Sequence, residues 1–322
     1  MSAGNTLPIG TLIGEYRVEA VIGSGGFGVT YLARDSRLDA PVAVKEYYPV
    51  SMAVRGKDYS VRERPGNVKG GYAWGLEKFT NEASMLASLR HPNIVGVNRL
   101  FRANGTAYMI LDYIDGPNLK VWLSGRESRP DQDDLDALLL PLLEALRTVH
   151  AQHLLHRDIA PKNIMISDGF IPVLIDFGAA RQLIAQKSQT FAALLTPGYA
   201  PFEQYVATGQ TQGPWTDIYS LGATVYECIT GELPPEAPER TLSDRYKPAA
   251  RVAAGYYRPD FLLALDWALS PLPKDRPQSV DEWLAGGLTE VVGGMTVPHR
   301  QARLSRMSSV FTSLRTRISR WM

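Results

Sequence analysis

The sequence predicts an α+β chain of two lobes, a small β-rich lobe carrying one helix and a larger, mainly helical lobe. Two observations carry that expectation. Residues 16–48 alternate short β-prone runs with turn residues, whereas beyond Gly116 apolar residues recur at helical spacing, notably over 135–150 and 218–230. The length of 322 residues suits two cored units, since domains commonly hold about 100–200 residues.

Three antiparallel strands are expected at 16–22, 29–34 and 42–45, the first two joined by a glycine cluster. A Gly- and Arg-containing stretch, 51–71, leads to 76–89, where Phe79, Met85, Leu86 and Leu89 mark an amphipathic helix that His91-Pro92-Asn93 ends. Two further strands, 95–102 and 107–113, flank the turn signal Asn104-Gly105. The implied organisation is an N-terminal extension 1–15, a first lobe 16–111, a hinge 112–116, a second lobe 117–288 and a tail 289–322.

With 45% hydrophobic and 21% charged residues, the composition is that of a globular protein, and a net charge of +1 points away from nucleic acid as a partner. The charge is uneven. After Glu290 no acidic residue follows, yet Arg300, Arg303, Arg306, Arg315, Arg317 and Arg320 do, so the basic character is confined to the tail. Cys228 is the only cysteine, which excludes an internal disulfide and fits a reducing compartment; its apolar neighbours favour packing over reactivity. The first residues lack the basic start and apolar core of a signal peptide, and the apolar cluster 138–143 is too short to span a bilayer, so a cytoplasmic protein is expected.

Several residues invite chemistry. Gly23-Ser24-Gly25-Gly26-Phe27-Gly28 joins two expected strands, where missing side chains would let backbone N–H groups approach phosphate oxygens, although a plain hairpin turn explains it as well. Lys45 closes the third strand, and Glu82 or its rival Glu77 on the following helix could pair with it. More specific is His156-Arg157-Asp158-Ile159-Ala160-Pro161-Lys162-Asn163, followed by an apolar strand and Asp176-Phe177-Gly178. Asp158 can take a proton from a hydroxyl nucleophile, while Asn163 and Asp176 supply oxygen ligands suited to Mg²⁺.

Taken together, these motifs resemble the eukaryotic-type (Hanks-type) serine/threonine protein kinases in their bacterial version, over residues 16 to about 286. The resemblance implies the bilobal kinase fold and transfer of the ATP γ-phosphoryl group to Ser or Thr of protein substrates, with Mg²⁺, or alternatively Mn²⁺, as the metal. It favours Glu82 as the partner of Lys45. It implies nucleotide contacts from Ile22, the glycine cluster, Thr30, Ala43, Lys45, the gatekeeper Leu111 and the backbones of Asp112 and Ile114. Leu86, Val97, His156 and Phe177 would form an apolar spine, making His156 structural. Glu203, in Ala200-Pro201-Phe202-Glu203, would pair with Arg276, and Asp217 would anchor the catalytic loop.

The match departs from the family in places. Serine/threonine kinases usually carry a lysine two residues after the catalytic aspartate, but here Ala160 stands there and Lys162 is the available substitute. Hydroxyl specificity is then read from Thr196-Pro197-Gly198-Tyr199-Ala200-Pro201, which resembles the substrate-docking segment of serine/threonine kinases. Thr30 replaces the usual valine. Residues 46–72 form an insertion in which Arg55, Lys57, Arg62, Arg64 and Lys69 either contact a regulatory partner or decorate an elaborated surface loop. Arg157 is similar to an arginine that binds a phosphate on the activation segment, where Ser188 and Thr190 are the candidate acceptors. In the tail, Leu304, Met307, Phe311, Leu314, Ile318 and Trp321 make one apolar helical stripe. Residues 299–322 could therefore lie on the inner face of an anionic membrane, dock on the kinase itself, self-associate or lead toward a further domain. Alternative readings of the whole are a nucleotide-binding pseudokinase scaffold and a small-molecule kinase.

Overall fold

The computed structural model describes residues 5–66, 70–178, 195–206 and 212–288, which divide into two compact units between Tyr113 and Ile114. In the first unit, β1 (Leu12–Ile13), β2 (Tyr16–Ser24), β3 (Gly28–Asp35), β4 (Ala40–Tyr47), β7 (Val97–Ala103) and β8 (Thr106–Asp112) form an antiparallel sheet in the order β1-β2-β3-β4-β8-β7. The insertion, read from the sequence as either a partner contact or an elaborated surface loop, carries strands of its own. It folds into a hairpin, β5 (Ala53–Arg55) and β6 (Val61–Glu63), and helix α1 (Gly71–Ser88) starts earlier than its periodicity implied.

Directly opposed residues share a face of the sheet, so the pairings Thr30↔Lys45, Lys45↔Met109 and Ala43↔Leu111 define one face and Tyr31↔Val44 and Glu46↔Tyr108 the other. Helix α1 covers the Lys45 face, where the Tyr47 ring meets those of Tyr72 and Phe79 with centroids 5.4 and 5.6 Å apart. No acidic residue sits in the first turn of α1 and its N-cap is Gly70, so packing rather than local propensity sets where it begins. Pro92, just beyond the helix, disfavours its continuation.

The opposite face is capped by the N-terminal segment and the insertion. Leu7 and Ile13 are buried there, and the Leu7 N–H donates to the Tyr31 hydroxyl at 3.0 Å. Residues 5–13, assigned by the sequence to an extension, are thus part of this unit's packing. Glu46 is fully buried on this face. Its carboxylate accepts from Tyr31 (2.8 Å), Tyr108 (3.0 Å) and both Nη atoms of Arg55 (3.0 and 2.6 Å). Arg55 also donates through Nε and Nη2 to the Asn5 carbonyl and lies 4.7 Å over the Tyr48 ring. Such a pair is tolerated in the interior only with its remaining hydrogen-bond groups matched, as they are here.

In the second unit, α2 (Leu119–Ser124) and α3 (Gln132–Ala151) are each started by a side-chain cap, Asn118 and Asp131. The buried Leu135, Leu138, Leu139, Leu142, Leu146 and Val149 follow the 3.6 period, and Pro141 does not end α3. The hairpin β9 (Ile164–Ser167) and β10 (Ile171–Leu174) carries the catalytic-loop sequence onward. Helix α4 (Pro214–Thr230) is buried on nearly all sides, including Cys228, whose thiol pKa burial pushes up. Gly231 at φ 73° ends it. Short helices α5 (Ala237–Leu242) and α6 (Ala249–Val252) lead to α7 (Pro259–Ala268), which packs on α4 at Gly222. A further short helix, α8 (Val280–Trp283), is pinned by Trp283 Nε1 donating to the Ala264 carbonyl at 2.9 Å. Among the described residues no helix is long and apolar enough to cross a membrane.

Asn104 (φ 52°) and Gly105 (φ 74°) form the left-handed turn between β7 and β8. A Cβ on Gly105 would come within 2.2 Å of the Val61 carbonyl, so this glycine also admits the insertion hairpin. Gly105→Ala is expected to destabilise the first unit by about 1–3 kcal/mol, read as a lowered midpoint in chemical denaturation.

Candidate active site

The first unit presents the glycine turn, Lys45 and Glu82. Gly25 N–H donates to the Gly28 carbonyl at 3.0 Å, closing the turn, and a Cβ at Gly25 or Gly26 would meet nothing within 4 Å. Gly28 answers a different demand, because a Cβ there would lie 2.4 Å from the Glu46 carbonyl. Ser24 is exposed, Phe27 half-buried and Ile22 exposed, an apolar side chain left uncovered beside the turn. Lys45 is half-buried and shares its sheet face with Thr30, Ala43 and Leu111. On α1, Glu82 lies on the buried side with Phe79, Ala83 and Leu86, whereas Glu77 is exposed. Asp112 donates its N–H to the Gly96 carbonyl at 3.0 Å, and Val97 is buried beside it. Ile114 opens the second unit.

In the second unit, Asp217 on α4 organises the loop that carries Asp158. Its carboxylate, wholly buried, accepts from the N–H groups of His156 (2.9 Å) and Arg157 (2.8 Å) and from His150 Nε2 (2.9 Å). Burial alone would raise the Asp217 pKa, but the His150 hydrogen bond and the neighbouring donors hold it below the usual carboxylate value. An ionised Asp217 accepts, so His150 Nε2 is the donor of this bond. Arg157 adopts φ 66° and its carbonyl accepts from Gln204 Nε2 at 2.9 Å. His150 and Gln204 were absent from the sequence-derived site. A lone His at a helix end and a Gln after Glu203 carry no pattern that marks them.

His156 is structural by its contacts. Nε2 lies 3.0 Å from the Ile175 carbonyl and Nδ1 accepts the Asp158 N–H at 3.3 Å, so both ring nitrogens bond to backbone. The ring packs on Phe177 with centroids 4.4 Å apart, and burial lowers its pKa. Gly178 follows at a close approach, its N–H donating to the His156 carbonyl at 2.8 Å and its would-be Cβ 3.1 Å from that of Asp158.

Around Asp158 three polar side chains are gathered, two directly and one through a hydroxyl. Asn163 Nδ2 donates to Asp158 Oδ2 (2.7 Å) and to the Asp158 carbonyl (2.8 Å). Thr196 Oγ1 donates to Asp158 Oδ1 (2.7 Å) and accepts from Lys162 Nζ (3.1 Å). With its amide nitrogen committed, Asn163 would hold a cation through Oδ1, joined by Asp176, which sits at φ 59°. Among the described residues no group of three or more His, Cys, Asp or Glu forms a cage. Two oxygen donors suit Mg²⁺, which keeps waters and shares phosphate ligands.

Behind this segment, Glu203 Oε1 accepts from Arg276 Nη1 (2.8 Å) and Thr216 Oγ1 (2.9 Å), with both charged side chains fully buried. Arg276 further donates to the carbonyls of Ser270 and Pro271, each at 2.7 Å, and lies 4.6 Å over the Tyr219 ring. Ser188, Thr190, Lys69 and the tail fall outside the described residues.

Comparison with known proteins places this geometry in context. The protein kinase domain family matches residues 16–255. The chain is 33% identical over 239 residues to serine/threonine-protein kinase PknB of Mycobacterium leprae, covering 72% of this chain and 35% of that protein. It is 30% identical over 307 residues to PknA of a Nostoc species, covering 90% and 50% respectively. The chain therefore spans about a third to a half of the length of these curated relatives. Among solved structures, the apo form of PpkA-294 is similar at 40% identity and TM-score 0.81, over 88% of this chain and all of that one. The kinase domain of Mycobacterium tuberculosis PknI, 23% identical with TM-score 0.62 over 87% of this chain and 97% of that one, shares the fold.

Below His156's ordinary value of 6.5, an unfolded chain takes up a proton that the buried ring refuses. The second unit should therefore lose stability as pH falls from about 7 to 5. In denaturant titrations across that range, His156→Phe should flatten this slope. Asp217, whose ordinary value is 3.8 and is lowered here, contributes its loss only at more acid pH.

Proposed function

The chain belongs to the protein kinase domain family, and from that premise we propose that it is a serine/threonine kinase, moving the γ-phosphoryl group of ATP to hydroxyls of protein substrates. The observation that supports this most is the Asp158 cluster, in which one threonine hydroxyl links the carboxylate to Lys162. Members of the family use ATP and a divalent metal; the choice of Mg²⁺ rests on the oxygen-only pair Asn163 and Asp176. When bound, Mg²⁺ and ATP supply the phosphoryl group and neutralise its charge.

The chain's own residues would do the rest. Asp158 orients the incoming hydroxyl and takes its proton, with Asn163 and Thr196 fixing the carboxylate's rotation. Lys45, oriented by Glu82, holds the α- and β-phosphates, and the glycine turn covers them. Lys162, four positions after Asp158, stands in for the lysine missing at Ala160. Ile22, Thr30, Ala43, Leu111 and the backbones of Asp112 and Ile114 receive the adenine. Arg157 couples a phosphate on Ser188 or Thr190 to the loop. Residues 299–322 remain a candidate contact for membrane or for the kinase itself. Apart from the lysine displaced from position 160 to 162, no catalytic position is degraded, so nothing favours the pseudokinase reading.

With radiolabelled ATP, Mg²⁺ and a generic protein substrate, Asp158→Ala should lower kcat by about 10²–10⁴-fold and Asp176→Ala should abolish transfer. Undiminished labelling by D176A would overturn the metal assignment, and digestion of the labelled wild type reports whether Ser188 or Thr190 carries phosphate. Lys162→Met should lower kcat by roughly 10–100-fold, the loss of one charge-assisted hydrogen bond, while Lys162→Arg retains most of it. An unchanged rate in K162M would remove Lys162 from the mechanism.

A further inference from the structure

The insertion makes contact with the glycine turn, with the strand that carries Lys45 and with the start of the helix that carries Glu82. At its start, the Tyr48 and Val50 N–H groups donate to the carbonyls of Phe27 and Gly26, both at 3.1 Å, tying down the glycine turn. In the middle, Arg55 grips the carboxylate of Glu46, the residue next to Lys45 on β4, with 3% of its side chain exposed. The same guanidinium holds the Asn5 carbonyl, so the N-terminal segment is fastened in the same place. At its end, Tyr72 in the first turn of α1 donates to the Gly105 carbonyl at 2.9 Å and accepts from Tyr47 through its own carbonyl at 3.4 Å. The Val61 N–H meets the Asn104 carbonyl of that same turn at 2.7 Å.

We propose that the insertion is an internal clamp that holds the glycine turn, the Lys45 strand and the Glu82 helix in one assembled arrangement, with Arg55 as its central positioning residue. The sequence had offered Arg55 and Arg64 either as contacts for a regulatory partner or as decoration of an elaborated surface loop. Instead Arg55 is buried, and Arg64 donates to the Val50 and Ala53 carbonyls, both at 3.2 Å, bracing the hairpin from within. The physical case is that Lys45 and Glu46 point to opposite faces of one strand. Fixing the Glu46 carboxylate from the capped face removes the freedom of β4 to slide or twist, and Lys45 on the other face moves with it. A helix tethered at its N-terminal turn through Tyr72 keeps Glu82 in register with that strand. A phosphate-binding lysine held this way needs no outside partner to be placed.

The proposal rests on the reading of Lys45 as the phosphate-binding lysine, and its test separates the two. In the full chain, Arg55→Met should speed amide hydrogen exchange across Gly71–Ser88 by about tenfold or more without nucleotide, which requires no catalytic activity to observe. The same variant should raise the KM for ATP by about tenfold and leave the KM for the protein substrate unchanged. Arg55→Lys should restore part of both, and Arg62→Ala, an exposed arginine on the same hairpin, should change neither. If R55M alone does not fold because Glu46 is left buried without its cation, E46Q/R55M removes both charges and carries the same comparison. Unchanged exchange over Gly71–Ser88, or a fall in kcat with the KM for ATP unaltered, would reduce Arg55 to a stability residue and overturn the clamp. Absence of any labelling by wild type would instead overturn the kinase reading, while the exchange result still decides the clamp.

Discussion

The loop from His156 to Asn163 depends on one buried carboxylate. Asp217 takes hydrogen bonds from the backbone N–H groups of His156 and Arg157, which lie 61 and 60 positions earlier in the chain, and from the His150 ring. Two amide donors without a partner in the interior would each cost free energy comparable to a lost hydrogen bond. Arg157 adds the left-handed φ of 66°, a conformation that costs of order 1–3 kcal/mol and persists only when its surroundings over-determine it. Asp217 on one side and Gln204, bonded to the Arg157 carbonyl, on the other supply that determination. Asp158 is the next residue, so the direction of its carboxylate is set by backbone that these two side chains hold.

A similar device recurs in the first unit with a different purpose. Glu46 gathers two tyrosine hydroxyls and a guanidinium, and these groups come from β3, β8 and the insertion. Both carboxylates work as hubs, since a carboxylate offers about four lone-pair sites and can therefore join several segments at one point. Asp217 relies on directed N–H donors, two from the backbone and one from the His150 ring. Glu46 needs Arg55, because tyrosine hydroxyls alone would leave a buried charge poorly compensated. The Glu203–Arg276 pair is a third instance, with Arg276 distributing its remaining donors over the carbonyls of Ser270 and Pro271.

Much of this was legible in the sequence where the interacting groups are close along the chain. The strand periodicity over 16–48, the Asn104-Gly105 turn and the two helical patterns of the second unit all correspond to elements of the structure. The run from His156 to Asn163 encodes a compact loop, so its spacing alone brings Asn163 onto Asp158. What escaped notice depends on partners far apart. Arg55 was one of five basic residues in a stretch without periodicity, and nothing local distinguished it from the exposed Arg62. Helix α1 began earlier than its apolar pattern because Tyr72 is anchored by Gly105, 33 residues away. His150 and Gln204 were missed for the same reason.

By itself, the sequence determined which residue types are available to the proposed chemistry and their order, because the run from His156 to Asn163, the nearby Asp176 and the glycine turn are local constellations. It also determined the alternation of β-rich and helical regions, since burial on one face leaves a period of two or of 3.6 in the apolar residues. Only the tertiary structure decided which charges are buried and what holds each one. Glu46 rather than a neighbouring acid became the hub of the first unit, and Arg55 became an internal brace rather than a surface contact. The reason is physical: the cost of burying a charge is set by the full set of donors that surround it, and those donors are assembled from distant segments by folding.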